Sequence, residues 1–309
     1  MSLSPTISLI SRQATCQESP PLQAMITELQ QRYGKAIEAV LFYGSCRRSG
    51  DYFDGLLDLY LLVDDYHNAY DRYHLALLNR LLPPNVFYLE IAHNGRTVRG
   101  KYAVLSIDDF ERGTSPRWFH SYLWGRFAQP TGILYARTDQ IQKRLHHALA
   151  EAARTFVSRV IPCLPDQFTA RELWCHGFSL TYRAELRTER QHYRDQLFQQ
   201  DANYYEHLTA TLLTADGTDP AHHYRNKNSP GRRRLCRWGW TLRIIQGKLL
   251  SVLRLLKALT TFNGGVQYIF WKIERHSGIR PEADTQGRQK SLFALCRTFW
   301  QIYRQGGFR

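Results

Sequence analysis

Two apolar runs separated by a short polar loop dominate the hydrophobic pattern of the chain. The first run extends from Ala39 to Tyr43 and breaks at Gly44-Ser45, and the second extends from Leu56 to Val63. Apolar runs of this length, bounded by Gly and Asp, are typical of buried strands. The same reasoning predicts further strands over Asn85–Ala92, Arg96–Ser106 and Gly132–Arg137.

Segments with helical spacing of apolar residues lie before and between these strands and make up most of the chain after them. This spacing predicts helices over Pro21–Lys35 and Tyr66–Leu82, and from Asp139 onward almost only helices. The first 20 residues are rich in Ser, Pro and Gln, which favours a loose arm. The predicted fold class is therefore α+β: a mixed sheet with flanking helices over residues 1–138, followed by an all-helical domain over residues 139–309.

One carboxylate, Asp58, lies in the middle of the second apolar run. A charge inside a buried strand is costly unless it is paired or binds a metal. In the nucleotidyltransferase fold, a Gly-Ser turn that opens a helix holds a triphosphate, and an Asp on the next strand holds Mg²⁺ against it. Ser45 and Asp58 stand at a suitable separation, but Tyr60 occupies the usual place of a second acid. The alternative is an ordinary strand pair in which Asp58 forms a salt bridge.

Composition places the chain among globular proteins, with 43% hydrophobic residues. No apolar run reaches the roughly 18 residues of a transmembrane helix, and the N-terminus has no apolar stretch of a secretory signal. We therefore expect an intracellular protein. Its six cysteines include no Cys-x-x-Cys pair, which argues against structural zinc and favours reduced thiols.

The positive charge is concentrated at the C-terminal end. Residues 221–309 hold 18 of the 41 Lys and Arg residues but only 3 of the 27 Asp and Glu residues. Within this segment, Ile244–Leu259 has the pattern of a basic amphipathic helix, with Lys248, Arg254 and Lys257 beside a leucine face. Such a segment indicates a polyanionic partner: anionic lipid, nucleic acid or a phosphorylated substrate.

Five stretches follow one another along the chain: Tyr43-Gly44-Ser45, Leu57-Asp58-Leu59 with Val63-Asp64-Asp65, Lys101 to Ser106, Tyr122 to Phe127 with Pro130, and Leu180-Thr181-Tyr182 with Glu185-Leu186-Arg187. In order and spacing they resemble the mitochondrial-type phosphatidate cytidylyltransferases (mitochondrial translocator assembly and maintenance proteins) and their bacterial relatives. The resemblance covers about residues 38–215. These enzymes make CDP-diacylglycerol from CTP and phosphatidate.

The resemblance implies a nucleotidyltransferase-like domain and a helical domain with Mg²⁺ and CTP bound between them. Nucleotide-binding residues are then Tyr43, Gly44, Ser45, Glu185 and Arg187. It also implies a cytoplasmic protein, peripheral on the inner face of a membrane, whose partners are CTP, phosphatidate and an anionic membrane surface; nucleic acid is the less favoured partner.

Four residues carry the expected chemistry. Asp58 would hold Mg²⁺ and act in catalysis, and Glu90 on a neighbouring strand is the second candidate metal ligand, with a plain strand-end role as the alternative. Lys101 and Arg126 would offset negative charge that develops on the phosphates. The alternatives are a solvated Lys101 and a helix-end Arg126.

One departure from the family keeps other functions open. The family turn is usually Gly-Ser-Gly, whereas Cys46 stands at its third position, which restricts the backbone there. The family itself has a single Asp in the Asp58 strand. The competing hypotheses are a nucleotidyltransferase acting on a small metabolite, RNA or protein, and an inactive relative that binds nucleic acid or membrane through its basic C-terminal half.

Overall fold

The computed structural model describes residues 3–16, 19–185, 191–213 and 223–261. Its centre is a five-stranded sheet built from β1 (Ile37–Tyr43), β2 (Leu57–Val63), β3 (Asn85–His93), β4 (Arg96–Ser106) and β5 (Gly132–Ala136). The spatial order is β3-β4-β2-β1-β5. The β2 and β4 strands run parallel, and the other neighbours run antiparallel. The predicted mixed sheet is confirmed, with every strand end within two residues of its predicted place.

Helices flank the sheet and form the rest of the described chain. Before and between the strands lie α1 (Ser4–Ala14), α2 (Pro20–Tyr33), α3 (Ser45–Ser49), α4 (Tyr66–Ala69), α5 (Tyr73–Leu81), α6 (Ile107–Thr114) and α7 (Trp124–Phe127). After the sheet follow α8 (Asp139–Val160), α9 (Ala170–Arg183), α10 (Gln191–Gln200), α11 (Ala202–Leu212) and α12 (Pro230–Thr261). The helical C-terminal half is confirmed, except for a pair of two-residue strands, β6 (Gln167–Phe168) and β7 (Tyr224–Arg225).

Alternate residues of the central strands serve two different cores. In β2, Leu59 and Leu61 pack with Met25 of α2, whereas Tyr60 and Leu62 join the core on the opposite face. Successive side chains of a strand point to opposite faces, so a strand covered on both sides reads as a continuous apolar run. Asp58 shares its face with Tyr60, and its side chain therefore points toward the layer of helices that contains α7, α8 and α9.

The expectation of a loose N-terminal arm is wrong for the residues that the structure describes. Residues Ser4–Ala14 form α1, in which Ile10 and Ala14 are buried. The hydroxyl of Thr6 donates a hydrogen bond to Thr211 Oγ1 at 3.1 Å, which joins α1 to α11. Composition misled here because a few apolar residues on one helical face are enough to dock a short helix.

The larger core joins residues from both sides of position 138. Leu41 and Tyr60 from the sheet lie in one cluster with Leu145, Phe156 and Trp174 from the helices that follow. The division of the chain into domains at residue 138 stays a prediction, and the candidate site described below lies along this shared core.

The last described helix, α12, is held to the rest of the protein by basic side chains that point inward. Arg243 Nε donates to the carbonyl of Phe119 at 2.7 Å, and Arg254 Nε donates to the carbonyl of Pro83 at 2.9 Å. Lys257 Nζ donates to the carbonyls of Leu82 and Pro84. Of the three cations predicted beside the leucine face of this helix, Arg254 and Lys257 therefore point inward instead, because the carbonyls that follow α5 are acceptors with no helical partner.

The opposite side of α12 exposes an apolar stripe. Its side chains recur every three or four residues, which places them on one helical face. They are Leu235, Trp238, Leu242, Ile245, Leu249, Val252, Leu253 and Leu256, each between 41% and 73% exposed. No helix within the described residues is long and apolar enough to cross a membrane.

The contact between α12 and the end of α9 depends on the absence of a side chain at Gly247. A Cβ atom there would lie 2.2 Å from the backbone oxygen of Ala184. We expect Gly247→Ala to destabilise the protein by about 1–3 kcal/mol, because backbone must move to relieve the clash. The measurement is urea unfolding, with Gly231→Ala as control, since a Cβ at Gly231 of the same helix meets nothing within 4 Å. Equal stability of both variants would show that α12 does not pack on Ala184.

Candidate active site

A row of three polar side chains crosses the centre of the sheet on the face that packs against α7, α8 and α9. Tyr43 is paired with Asp58 across β1 and β2, and Asp58 is paired with Lys101 across β2 and β4. Lys101 Nζ lies 2.9 Å from Asp58 Oδ1. The two side chains are 30% and 23% exposed, so the pair is reached by solvent and by ligands. The salt bridge expected as the alternative for Asp58 is present, and it places a carboxylate and an ammonium group together at the edge of a cleft.

The turn after β1 approaches this pair so closely that only glycine fits at its first position. Gly44 has a φ of +89°, and a Cβ atom there would lie 2.7 Å from Asp58 Oδ2. Residues without a side chain tolerate both the left-handed backbone and the contact. Ser45 follows directly and begins α3. The Gly-Ser turn is therefore adjacent to the Asp58 carboxylate, as the sequence predicted.

Cys46, which replaces the usual third glycine, turns away from the cleft. Its side chain is buried in the core under the other face of the sheet, and its thiol donates to the carbonyl of Leu56 at 3.2 Å. Glycine is the only residue type with a positive φ in this turn, so Cys46 is not strained. The substitution therefore leaves the cleft side of the turn open, because the thiol fills space beneath Gly55 instead.

Arg126 is the second cation near the cleft, and it is almost fully engaged. Its Nη1 donates to the hydroxyls of Tyr43, Tyr60 and Tyr122 at 3.2–3.3 Å, and its Nη2 donates to both carboxylate oxygens of Glu185 at 3.3 Å. The side chains of Arg126 and Glu185 are 11% and 15% exposed. Arg126 is thus a buried, paired cation, whereas Lys101 is half-exposed.

Tyr60 occupies the strand position, two residues after Asp58, at which a second metal-binding acid is usual. Its ring is fully buried and packs edge-on against Phe127 at 4.9 Å, while its hydroxyl accepts from Arg126. Burial raises the pKa of Tyr43 to about 12, although Arg126 opposes the rise. Tyr43 is therefore protonated at neutral pH. These phenols orient Arg126 without adding negative charge.

Tyr122 links this cluster to α12. Its ring lies between two guanidinium groups, with Arg126 Cζ at 4.4 Å and Arg254 Cζ at 4.1 Å from the ring centroid. Stacking of guanidinium on aromatic faces is favourable, most of all when water is excluded. The docking of α12 is therefore connected to the cleft through one aromatic side chain.

One of the sequence-predicted residues, Glu90, makes its contacts away from this cluster. Glu90 on β3 accepts hydrogen bonds from Arg99 Nε at 3.0 Å and from the hydroxyl of Tyr88. Its role as a metal ligand stays a prediction. Arg187 lies outside the described residues.

Sequence reasoning missed Arg48, which borders both cavities beside the Gly-Ser turn. The smaller cavity, of about 110 Å³, is also lined by Asp58, Arg126 and Glu185. The larger one, of about 700 Å³, lies on the other side of Ser45 and is also lined by Arg47, Tyr52, Gln200 and Asp201. The side chain of Arg48 makes no hydrogen bond or ion pair with the described residues. The available signal was the Arg47-Arg48 pair directly after the turn.

The donor set at Asp58 fits a cation that arrives with a phosphate ligand. In the described ranges there is no group of three or more His, Cys, Asp or Glu residues that could hold a metal ion. Mg²⁺ commonly binds to one or two carboxylates together with substrate phosphates and water, without an all-protein cage. A single half-exposed carboxylate beside a Gly-Ser turn meets that requirement.

Comparison with known proteins gives the class. The family model described as phosphatidate cytidylyltransferase, mitochondrial, matches residues 69–229, which is more than half of the chain. The chain belongs to this family, whose members are nucleotidyltransferases. The matched range contains Lys101, Arg126 and Glu185, but not the Gly-Ser turn or Asp58.

Comparisons with curated proteins and with solved structures do not narrow the function further. No curated protein matches the chain. The crystal structure of a nucleotidyltransferase-like protein from Exiguobacterium sibiricum is 13% identical to it, over 93% of this chain and 92% of that one, with a TM-score of 0.28. A likeness at that score carries no argument about fold or function.

The buried pair of Arg126 and Glu185 gives a stability prediction. Arg126→Met leaves the Glu185 carboxylate without its cation, and removing one partner of a buried pair costs about 3–5 kcal/mol. We expect Arg126→Met to lower the free energy of unfolding by this amount, and Arg126→Met with Glu185→Gln to lower it less than the sum of the two single changes. Urea unfolding of the four proteins of this cycle measures the coupling. Additive effects would mean that the two side chains do not interact.

Proposed function

We propose that the chain transfers the cytidylyl group of CTP to phosphatidate, forming CDP-diacylglycerol and pyrophosphate. The family membership supports the reaction class. The single observation that carries the proposal is the Asp58–Lys101 pair, which stands beside the Gly44-Ser45 turn at a cleft lined by further cationic side chains. This arrangement is suited to a polyphosphate substrate.

The proposed reaction needs positioning and charge neutralisation more than covalent participation by the protein. A phosphate oxygen of phosphatidate attacks the α-phosphorus of CTP, and a new O–P bond forms. The bond from the α-phosphorus to the oxygen that bridges to the β-phosphate breaks, and pyrophosphate leaves with that electron pair. Negative charge grows on the leaving oxygen, so cations held near it lower the barrier.

The chain's own residues take distinct parts in this proposal. Ser45 and the backbone of the turn hold phosphate oxygens, and Arg48 contributes a cation from the adjoining cavity wall. Lys101, already within 2.9 Å of a carboxylate at the cleft, neutralises phosphate charge. Asp58, with Glu90 as the second candidate, holds Mg²⁺. When bound, Mg²⁺ supplies further neutralisation of the phosphate oxygens.

Arg126 and Glu185 act as a unit in this scheme. A phosphate that reaches Arg126 must compete with Glu185 for the guanidinium, because both carboxylate oxygens accept from it. Until then, Arg126 holds the hydroxyl of Tyr43 at the cleft wall and binds the hydroxyl of Tyr122 behind it. We propose that Glu185 and Arg187 assist in nucleotide binding.

The activity test is pyrophosphate release with Mg²⁺, each of the four ribonucleoside triphosphates, and phosphatidate micelles present or absent. We expect turnover with CTP and phosphatidate together. Asp58→Asn should lower that turnover by at least about 10²-fold, because it removes the one carboxylate at the turn while keeping the side-chain shape. Asp71→Asn is the matched control, since Asp71 is exposed and lines neither cavity.

Three outcomes would contradict the proposal. Unchanged turnover of the Asp58→Asn variant would remove Asp58 from the site. Pyrophosphate release that depends on an RNA, protein or small-metabolite acceptor, and not on phosphatidate, would assign the chain to another nucleotidyltransferase reaction. A folded chain with no turnover on any acceptor would favour an inactive relative.

We further propose that the apolar stripe of α12 contacts an anionic membrane, where phosphatidate resides. Exposed cations flank the stripe at Arg232, Arg234, Arg237 and Lys248. A helix with one apolar face and basic flanks lies in the membrane interface, and each cation near an anionic surface contributes about 1 kcal/mol. The inward Arg254 and Lys257 take no part in this contact, since they bind backbone carbonyls.

Vesicle flotation tests this contact. We expect the full chain to float with phosphatidate-containing vesicles at low salt and to be released as salt rises. Leu242→Gln with Leu249→Gln removes two stripe side chains without changing the charge and should abolish flotation. Thr241→Gln with Gln246→Asn changes exposed polar positions of the same helix and should not. Equal flotation of both variants, or tight RNA binding without vesicle binding, would contradict the membrane proposal.

A further inference from the structure

Two cysteines that are distant in the sequence meet where α12 joins the rest of the protein. Cys163 ends the short 3-10 turn that follows α8, and Cys236 lies in the first turns of α12. Their Sγ atoms are 3.6 Å apart, with the Cys163 thiol donating to Cys236 although 73 positions separate them. The pair therefore brings together two segments that are far apart in the chain, and both thiols are free.

The surroundings of Cys236 favour its thiolate. The hydrogen bond from Cys163 lowers the pKa of Cys236 to about 7 against the effect of burial, and the cations Arg243, Arg159 and Arg232 lower it further. The Arg159 carbonyl, 3.2 Å from Sγ, accepts from the thiol form and opposes this shift. A thiolate, not a thiol, is the nucleophile in disulfide exchange, so Cys236 is the attacking member of the pair.

Access from the cavity also favours Cys236 over Cys163 as the sulfur that reacts first. Cys236 lines an open, mainly apolar cavity of about 800 Å³, with Leu235 and Trp238 among its walls, and Cys163 does not line it. A small molecule that enters this cavity meets Cys236 first. Cys163 does not border this cavity, but its sulfur lies within reach of the Cys236 sulfur.

We propose that Cys163 and Cys236 form an oxidisable pair, which closes to a disulfide by exchange with a low-molecular-weight disulfide such as oxidised glutathione. The Cys236 thiolate attacks one sulfur of that reagent, forms a mixed disulfide and releases one thiolate, which takes up the proton that Cys236 lost. Cys163 then gives up its proton and attacks Cys236 Sγ, releasing the second half as a thiol. Two electrons pass from the cysteines to the reagent, and two thiols leave.

The geometry makes the second step feasible. A disulfide has an S–S distance of about 2.05 Å, so the sulfurs must approach by about 1.5 Å, which side-chain rotation can supply. The bond would tie α12, with its apolar stripe, to the end of α8. Other thiols are less suited: Cys46 is buried in the core, and Cys175 lies beside the Asp195 carboxylate, with its pKa raised to about 11 by burial and by that carboxylate.

The test uses the full chain carrying Cys296→Ser, because Cys296 lies outside the described residues. After treatment with oxidised glutathione at pH 7, peptide mapping by mass spectrometry should find the Cys163–Cys236 disulfide, and dithiothreitol should reverse it. Cys163→Ser should instead accumulate glutathione on Cys236, since the resolving thiol is gone. Without oxidant, iodoacetamide should modify Cys236 roughly tenfold faster than Cys175 at pH 7.

The control is Cys175→Ser, which should leave the cross-link unchanged. A wild-type chain that acquires glutathione on Cys16 or Cys175 as readily as on Cys236, and forms no Cys163–Cys236 link, would overturn the proposal. So would a Cys236 that is alkylated no faster than Cys175. As a separate readout, the cross-linked chain should melt at a higher temperature than the reduced chain, and Cys163→Ser should abolish that shift.

Discussion

The ion pair between Asp58 and Lys101 is the interaction on which the candidate site depends. The other residues of β2 are apolar, so the Asp58 charge would be expensive to place there without Lys101 as its partner. The parallel register of β2 and β4 sets them side by side and joins them at 2.9 Å. Because the pair remains partly exposed, neither charge is fully desolvated. Both remain available to a substrate that carries phosphate and a cation.

The neighbouring structure accommodates this pair. The backbone of Gly44 passes so close to Asp58 that a methyl group would collide with the carboxylate, which brings the phosphate-binding turn to the same place. Arg126 lies deeper, where Glu185 balances its charge and three phenols take its remaining donors. Arg48 and the partly exposed Lys101 are thus cations that a substrate can reach, whereas the Arg126 guanidinium is already bound by Glu185.

The last helix joins this site to the surface proposed to meet a membrane. Arg254 binds the Pro83 carbonyl and stacks on Tyr122, whose hydroxyl accepts from Arg126. Movement of α12 would therefore shift Arg254 and Tyr122, and with them the Arg126 side chain that lines the cleft. The pair of Cys163 and Cys236 lies at the other end of the same helix, so both ends of α12 are tied to the protein by specific contacts.

Sequence alone determined the strands, the Gly-Ser turn and the family. Apolar runs such as Leu57–Val63 and the glycine at position 44 reflect local requirements, which depend on the backbone and on burial of neighbouring residues. The sequence also gave Asp58, Lys101 and Arg126 as chemically interesting side chains, since a charge in an apolar context is visible without a structure.

Only the tertiary structure decided which partner each of these charges has. The sequence could not show that Lys101 meets Asp58, that Arg126 is neutralised by Glu185, or that Tyr60 serves as an arginine acceptor, because strand register and helix docking bring them together across up to 66 positions in the chain. Nor could it show that α12 turns the leucines of its apolar stripe outward and Arg254 and Lys257 inward. Helical periodicity defines the two faces of α12. Which face docks depends on the carbonyls of Leu82, Pro83 and Pro84, which have no helical partner and accept hydrogen bonds from Arg254 and Lys257.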